Sequence, residues 1–339
     1  MRRFLRGRLS FRCFIYLAIC SVIGNYFLFR FFNQDFSAVV CKMEKASSRV
    51  RGACPLIPPG LQGRIQDLNL KPLEWNQLES SYSSLSPGGS WEPEHCKARF
   101  KVGVLVPFRD REEHLKVFLN NLHPLLMKQE LAYTIFVVED AASHPHQFNR
   151  AALFNAGFLE ANALSGPYDC FVFHDVDLIP ENDHILYSCP TEQPRHLSVA
   201  VSTLNYRLPY KELFGGVCAI MTHHFTLVNG FSNRFLGWGG EDDDLYTRLR
   251  AHNLTISRHP LSVGRYTMLP HRKAKPNPER FRLLNTSLPR HEKDGLSSIK
   301  YDVLSVQRKP LFTLFKVQIH SPANPASTII HSNQTVNNN

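Results

Sequence analysis

Asp175 and Asp177, one residue apart, close the apolar run Cys170-Phe-Val-Phe-His174. Two carboxylates at the end of a buried strand suit a divalent cation and, through it, a diphosphate. Ligands of open α/β sheets bind outside the carboxyl ends of the strands. Acids after a strand are also ordinary loop residues. A second acidic group, Glu241-Asp242-Asp243-Asp244, follows Phe235-Leu-Gly-Trp-Gly-Gly240. Glycines beside Trp238 fit a loop that offers an aromatic platform to a sugar face. Four successive carboxylates repel one another, but acids favour helix N-termini, and Leu245-Tyr-Thr-Arg-Leu-Arg250 reads as helix. The run is therefore a helix start that can also orient one carboxylate as a base. Met268-Leu-Pro-His271 offers an imidazole, a good transition-metal ligand, beside a thioether that suits a hard ion poorly. On its own chemistry it is a weak metal motif. Arg109 and Arg111 follow another apolar run, where guanidinium groups hold a diphosphate or a carboxylate, or simply face solvent.

These groups need a frame. Val102-Gly-Val-Leu-Val-Pro107 and Tyr133-Thr-Ile-Phe-Val-Val-Glu139 read as buried strands, as does the run ending at Asp175. Between them, Glu112 to Lys128 carries Leu115, Phe118, Leu119 and Leu122 on one helical stripe, and Ala151 to Ala163 reads as a second helix. Strands alternating with helices predict an α/β domain with a mainly parallel sheet. After about residue 200 the pattern becomes irregular. No internal repeat is visible.

The 339 residues carry a net charge of +10, yet five arginines (Arg2, Arg3, Arg6, Arg8, Arg12) stand before the apolar run Cys13 to Phe29. That run is about long enough to cross a thin bilayer, and the charge on its front side leaves the N-terminus in the cytosol. The expectation is a cytosolic tail over 1–12 and a single-pass type II signal anchor over 13–29. A stem with little regular structure follows over 30–95, then a catalytic domain over 96–321 and a disordered tail over 322–339. A cleaved signal peptide fits less well, because no small-residue cleavage site follows the run. The placement of the basic charge excludes a nucleic-acid partner. Six cysteines follow the anchor (Cys41, Cys54, Cys96, Cys170, Cys189, Cys218), an even set compatible with bridges in an oxidising lumen. Asn253, Asn285 and Asn333 begin N-glycosylation sequons.

Taken together and in order, the motifs resemble the animal β-1,4-galactosyltransferase family. They are Val106-Pro-Phe-Arg-Asp-Arg-Glu-Glu-His-Leu115, Phe148-Asn-Arg-Ala-Ala-Leu-Phe-Asn155, Phe171-Val-Phe-His-Asp-Val-Asp-Leu-Ile-Pro180, Phe214-Gly-Gly216, Asn229-Gly-Phe231, Gly237-Trp-Gly-Gly-Glu-Asp-Asp-Asp244 and Pro276-Asn-Pro-Glu-Arg-Phe281, with Asp294-Gly-Leu296 after them. The resemblance implies a GT-A-like α/β domain with a seven-stranded mixed sheet, anchored in the Golgi membrane with the catalytic domain lumenal. It implies an inverting, manganese-dependent transfer from a UDP-sugar to terminal N-acetylglucosamine on glycoprotein or glycolipid acceptors. By position, Asp177, Met268 and His271 would be the metal ligands and Asp242 the general base. Pro107, Phe108, Arg109, Arg111, Phe148, Arg150, Asp175, Val176, Leu213 and Trp238 would bind the donor. Trp238, Gly240, Glu241, Asp242, Asp243, Arg280, Phe281 and Leu284 would bind the acceptor. Cys54 with Cys96, and Cys170 with Cys189, fall where the family has disulfides.

One position departs from the vertebrate pattern. Those galactosyltransferases carry a tyrosine before Phe-Gly-Gly, where this chain has Leu213. Leucine leaves room for an acetamido group at the donor's 2-position, as in the invertebrate N-acetylgalactosaminyltransferases of the family. The expected donor is accordingly UDP-GalNAc, with UDP-Gal as the alternative. A non-catalytic lumenal carbohydrate-binding protein is the remaining class.

Overall fold

The computed structural model describes residues 51–141, 148–272 and 274–320. The expected cytosolic tail and anchor, Cys41, the C-terminal tail from 322 and Asn333 lie outside the described residues. Among those described, no helix is long and apolar enough to cross a membrane.

Among the described residues there are twelve strands: β1 (Ser90–Trp91), β2 (Lys101–Phe108), β3 (Ala132–Asp140), β4 (Cys170–His174), β5 (Leu178–Pro180), β6 (Arg195–His196), β7 (Ala200–Val201), β8 (Val217–Met221), β9 (Ser257–Arg258), β10 (Arg265–Met268), β11 (Tyr301–Arg308) and β12 (Thr313–Ile319). Nine form one mixed sheet in the order β11-β12-β3-β2-β4-β8-β6-β9, with β1 added on β3, rather than the seven that the resemblance implies. The extra pairings come from two-residue strands, which carry no hydrophobic run to announce them. The central strands β12, β3, β2 and β4 are parallel, and β8 pairs antiparallel to β4.

The three expected strands and both expected helices are present, the helices as Glu112–Lys128 and Arg150–Ser165. The strands read as continuous apolar runs because both faces are covered. On one face Val102, Val104, Val106, Ile135 and Val137 pack with Phe118, Leu119 and Leu122 of the first helix. On the other, Leu105, Phe136, Val138, Phe171 and Phe173 pack with Leu153, Phe154 and Phe158 of the second. Gly103 is a site of close approach, since a Cβ there would stand 2.4 Å from the Phe171 ring.

The chain from Ala53 to His95, expected as stem, is part of this folded unit. It carries the helix Trp75–Ser81, whose Leu78 is fully buried in the core. The Cys54–Cys96 disulfide closes the segment, and Cys170–Cys189 is the second bridge. The polar composition hid the segment because a single buried leucine per turn suffices to dock so short a helix. Cys218 is buried and unbridged.

Candidate active site

A small second sheet, β5-β10-β7, brings the distant motifs together. β5 follows Asp177 directly, and β10 pairs antiparallel to it with Met268 opposite Leu178. The Leu269 amide donates to the Asp177 carbonyl at 2.8 Å. This register carries His271 back to the acids, so that its Nδ1 lies 3.0 Å from Asp177 Oδ2. The Met268 amide donates to Ser202 Oγ at 3.0 Å, and its sulfur accepts from Thr203 Oγ1 at 3.3 Å. The carboxylate and the imidazole are ligands that manganese accepts, and the thioether is the weak member of the set for so hard a cation. Chemistry alone undervalued His271; the strand register places it. Among the described residues, one other convergence of possible ligands exists, Cys54, Cys96 and Glu130, but its cysteines are joined in a disulfide.

The loop after β2 and the start of the second helix supply the cations. Arg111 Nη1 stands 3.5 Å from Asp177 Oδ2. Arg109 pairs with Asp140 at 3.2 Å and lies over the Phe148 ring. Pro107 and Phe108 end β2 beside them, and Val176 is buried between the two acids. Arg150, the first residue of its helix, is the hub. Its Nε donates to Asp175 Oδ1 at 2.6 Å and its Nη1 to Glu241 Oε1 at 3.3 Å. Burial works against its charge, but the carboxylates of Asp175 and Glu241 more than offset this and raise its pKa. Burial likewise raises Asp175 and Glu241, with Arg150 opposing.

The acidic run is the first turn of the helix Glu241–Ala251, as expected. Gly240 caps it at φ +98°, and a Cβ there would meet Phe235 at 2.8 Å, so glycine is required twice over. A helix sends successive side chains about 100° apart, and the four acids accordingly part company. Glu241, expected at the acceptor, turns its carboxylate inward onto Arg150 and is only 12% exposed. Asp242 lies against the backbone of Gly215, where a Cβ would stand 2.3 Å from its Oδ2. Burial, then the neighbouring Glu241 and Asp243 carboxylates, push the Asp242 pKa up to about 7. Asp243 accepts from the Tyr210 hydroxyl at 2.9 Å. Asp244 is fully buried, paired with Arg248 at 2.6 Å and Arg290 at 3.1 Å.

Beside this turn stands an open aromatic shelf. Trp238 is 58% and Phe281 64% exposed. Arg280 lies over both rings, and the Asn277 amide donates to the Trp238 carbonyl at 2.9 Å. The helix Arg280–Asn285 therefore places Arg280 beside Gly240, with Phe281 and Leu284 on the same helix. Leu213 is half-buried just before Phe214-Gly-Gly216, and the Gly216 carbonyl accepts from the Asp175 amide at 3.2 Å. Asn253 and Asn285 are both exposed. Sequence reasoning missed Tyr210, although an aromatic three residues before Leu213 was a visible signal. It also missed Arg258 and His196, for which no local signal exists.

An α/β sheet that ends in a D-x-D pair, backed by arginines and faced by a half-buried carboxylate beside an aromatic shelf, defines a nucleotide-sugar glycosyltransferase of the GT-A type. The family model for the N-terminal region of glycosyl transferase group 7 matches residues 54–190. The model described as the N-terminal domain of galactosyltransferase matches residues 195–272. Beta-1,4-galactosyltransferase 2 of Mus musculus is 41% identical over 272 residues, covering 79% of this chain and 73% of that protein. Beta-1,4-galactosyltransferase 4 of Cricetulus griseus is 44% identical over 265 residues, covering 77% and 76%. The crystal structure of the catalytic domain of Drosophila β1,4-galactosyltransferase 7 with xylobiose matches 66% of this chain and 95% of its own at 29% identity, with a TM-score of 0.57. A mutant of that enzyme, in complex with manganese, UDP-Gal and xylobiose, matches with the same TM-score. The chain belongs to the β-1,4-galactosyltransferase family.

Proposed function

We propose that this protein transfers galactose from UDP-galactose to the 4-hydroxyl of a terminal N-acetylglucosamine on a glycoprotein or glycolipid glycan, with inversion and with manganese. The observation that carries the reading is the position of Asp242. Its carboxylate faces Gly215, one residue from the Gly216 carbonyl that accepts from Asp175, and the aromatic shelf lies on its open side. An acceptor sugar resting on Trp238 and Phe281 would present its hydroxyl to Asp242, and the phosphates of the separate UDP-sugar donor would lie toward the arginines. Galactose as the transferred sugar is supported by the names of the relatives and by the UDP-Gal bound in the Drosophila mutant complex.

Asp242 takes the proton of the acceptor hydroxyl while that oxygen attacks the anomeric carbon. The bond from the anomeric carbon to the UDP oxygen breaks in the same displacement, so α becomes β and no covalent enzyme adduct forms. The leaving diphosphate carries away the bonding electron pair. Arg109, Arg111 and Arg150 border the site on the side where that charge develops. Asp177, Met268 and His271 would hold the manganese, which when bound supplies further positive charge to the diphosphate.

A second reading, UDP-GalNAc as donor, rests on Leu213, whose smaller side chain leaves space that a tyrosine would fill. Donor competition with manganese and a GlcNAc acceptor separates the two. Preferential turnover of UDP-Gal supports the first reading, and preferential turnover of UDP-GalNAc replaces it with the second. Leu213→Tyr is expected to move the ratio toward galactose. The apolar run 13–29 and its basic flank support a type II anchor with this domain in the Golgi lumen, and protease protection of the intact protein in sealed vesicles tests it.

A further inference from the structure

The segment from Asn205 to Gly216 contains no helix or strand, and its Lys211 and Glu212 are exposed. Such a stretch has no ladder of its own to fix it, yet it carries Leu213 toward the donor and Gly215 against Asp242. Tyr210 ties it to Asp243, Ser198 Oγ donates to the Gly215 carbonyl at 3.1 Å, and a pair of residues on two very short strands holds it at three points. β6 and β9 pair in parallel with His196 directly opposite Arg258. Arg258 Nη2 donates to the carbonyls of Lys211 at 2.9 Å and Leu213 at 2.8 Å. Its Nε donates to His196 Nδ1 at 3.3 Å, which leaves the proton of the ring on Nε2. That nitrogen then donates to the Gly215 carbonyl at 2.9 Å. Three alternate carbonyls, 211, 213 and 215, are thus gripped from one side. The His196 ring also meets Phe214 edge to face, at 5.9 Å between centroids. Burial, then Arg258, lowers the His196 pKa to about 3, so the ring stays neutral and keeps this direction of hydrogen bonding.

We propose that Arg258 and His196 act as a clamp that sets donor selectivity: by fixing the backbone at Lys211, Leu213 and Gly215 they determine how much room the residue at 213 leaves for the donor's 2-substituent. Neither residue is a catalytic group; both are positioning residues. The inference rests on the reading that Leu213 faces the donor sugar. A pocket built to discriminate a small substituent achieves about 10- to 200-fold, and does so only while its wall is held still.

The test is the ratio of kcat/KM for UDP-Gal over UDP-GalNAc, measured with manganese and a GlcNAc acceptor, together with Tm. Arg258→Met is expected to change this ratio by ~5-fold or more. Arg258→Lys, which keeps the charge but loses the fork, is expected to fall between Met and wild type, and it decides the matter if Arg258→Met does not fold. His196→Gln, whose amide can still reach the Gly215 carbonyl, is expected to retain more discrimination than His196→Leu. A ratio within twofold of wild type, with both donors falling in parallel, reduces the pair to ordinary packing and overturns the proposal. The donor reading fails separately. If Leu213→Tyr leaves the ratio unchanged, the premise that residue 213 faces the donor's 2-substituent fails and the proposal falls with it; if Leu213→Tyr shifts the ratio and Arg258→Met does not, the premise holds and the clamp alone is overturned.

Discussion

Gly215 and Asp242 are in contact through the absence of a side chain: a Cβ on Gly215 would stand 2.3 Å from Asp242 Oδ2 and 3.2 Å from its Cγ. The glycine comes from the loop before β8 and the acid from the first turn of a helix. Their contact explains why a glycine is needed at the centre of Leu213-Phe-Gly-Gly216.

Gly215→Ala should therefore move the Asp242 carboxylate rather than unfold the protein, because a carboxylate on a half-open helix turn gives way more easily than the sheet behind it. The expected loss is ~100-fold in kcat, with Tm lowered by no more than ~4 °C. Steady-state kinetics and thermal unfolding of the one variant check both numbers. Retained activity would place the base elsewhere.

Asp242→Asn removes the base and should lower kcat by ~10²–10⁴. In wild type, kcat/KM should rise with pH to an inflection near the Asp242 value of about 7, since the deprotonated form is the active one. The sign for stability is opposite. The folded-state pKa lies above the ordinary 3.8, so ionising Asp242 costs stability once the pH passes 3.8, and the full cost is reached above about 7. Asp242→Asn should raise Tm at pH 8 by ~2–4 °C and leave it little changed at pH 4. Parallel Tm curves across this range would contradict the environment described for Asp242.

Arg150→Met would leave Asp175 and Glu241 facing each other without their shared cation. Removing one partner of a largely buried ion pair typically costs 3–5 kcal/mol, and the partial exposure of Asp175 lowers the expectation to about 3 kcal/mol at pH 8. Urea denaturation measures it. The Arg150→Met, Glu241→Gln double variant should recover part of that loss, since one of the stranded charges is gone.

His271→Asn should weaken manganese binding by on the order of 10-fold or more, read directly from free-ion signal in a metal titration without any turnover. Met268→Leu should do less, because sulfur contributes least toward such a cation. Equal affinity in the His271 variant would move the metal away from β10.

The helix Glu241–Ala251 shows how far sequence reasoning reached at the site. Four consecutive acids after paired glycines announced a helix start, and the motif resemblance singled out Asp242. Which acid faces which partner was not legible, because the answer depends on what packs around the turn: Arg150 for Glu241, Gly215 for Asp242, Tyr210 for Asp243, and Arg248 with Arg290 for Asp244. Met268 and His271 were visible as a pair, but their approach to Asp177 needed the β5–β10 register.

By itself the sequence determined the central strands, both flanking helices, the family and a set of candidate site residues. Buried strands and amphipathic helices write themselves as local hydrophobic periodicity, and the motifs are contiguous. The tertiary structure alone decided that residues 53–95 belong to the folded unit, that Glu241 pairs with Arg150, and that His196 and Arg258 hold the segment around Leu213. Each of these rests on contacts between residues dozens of positions apart, a docked helix and a disulfide, a pair of helix N-termini and two two-residue strands, which no local pattern encodes.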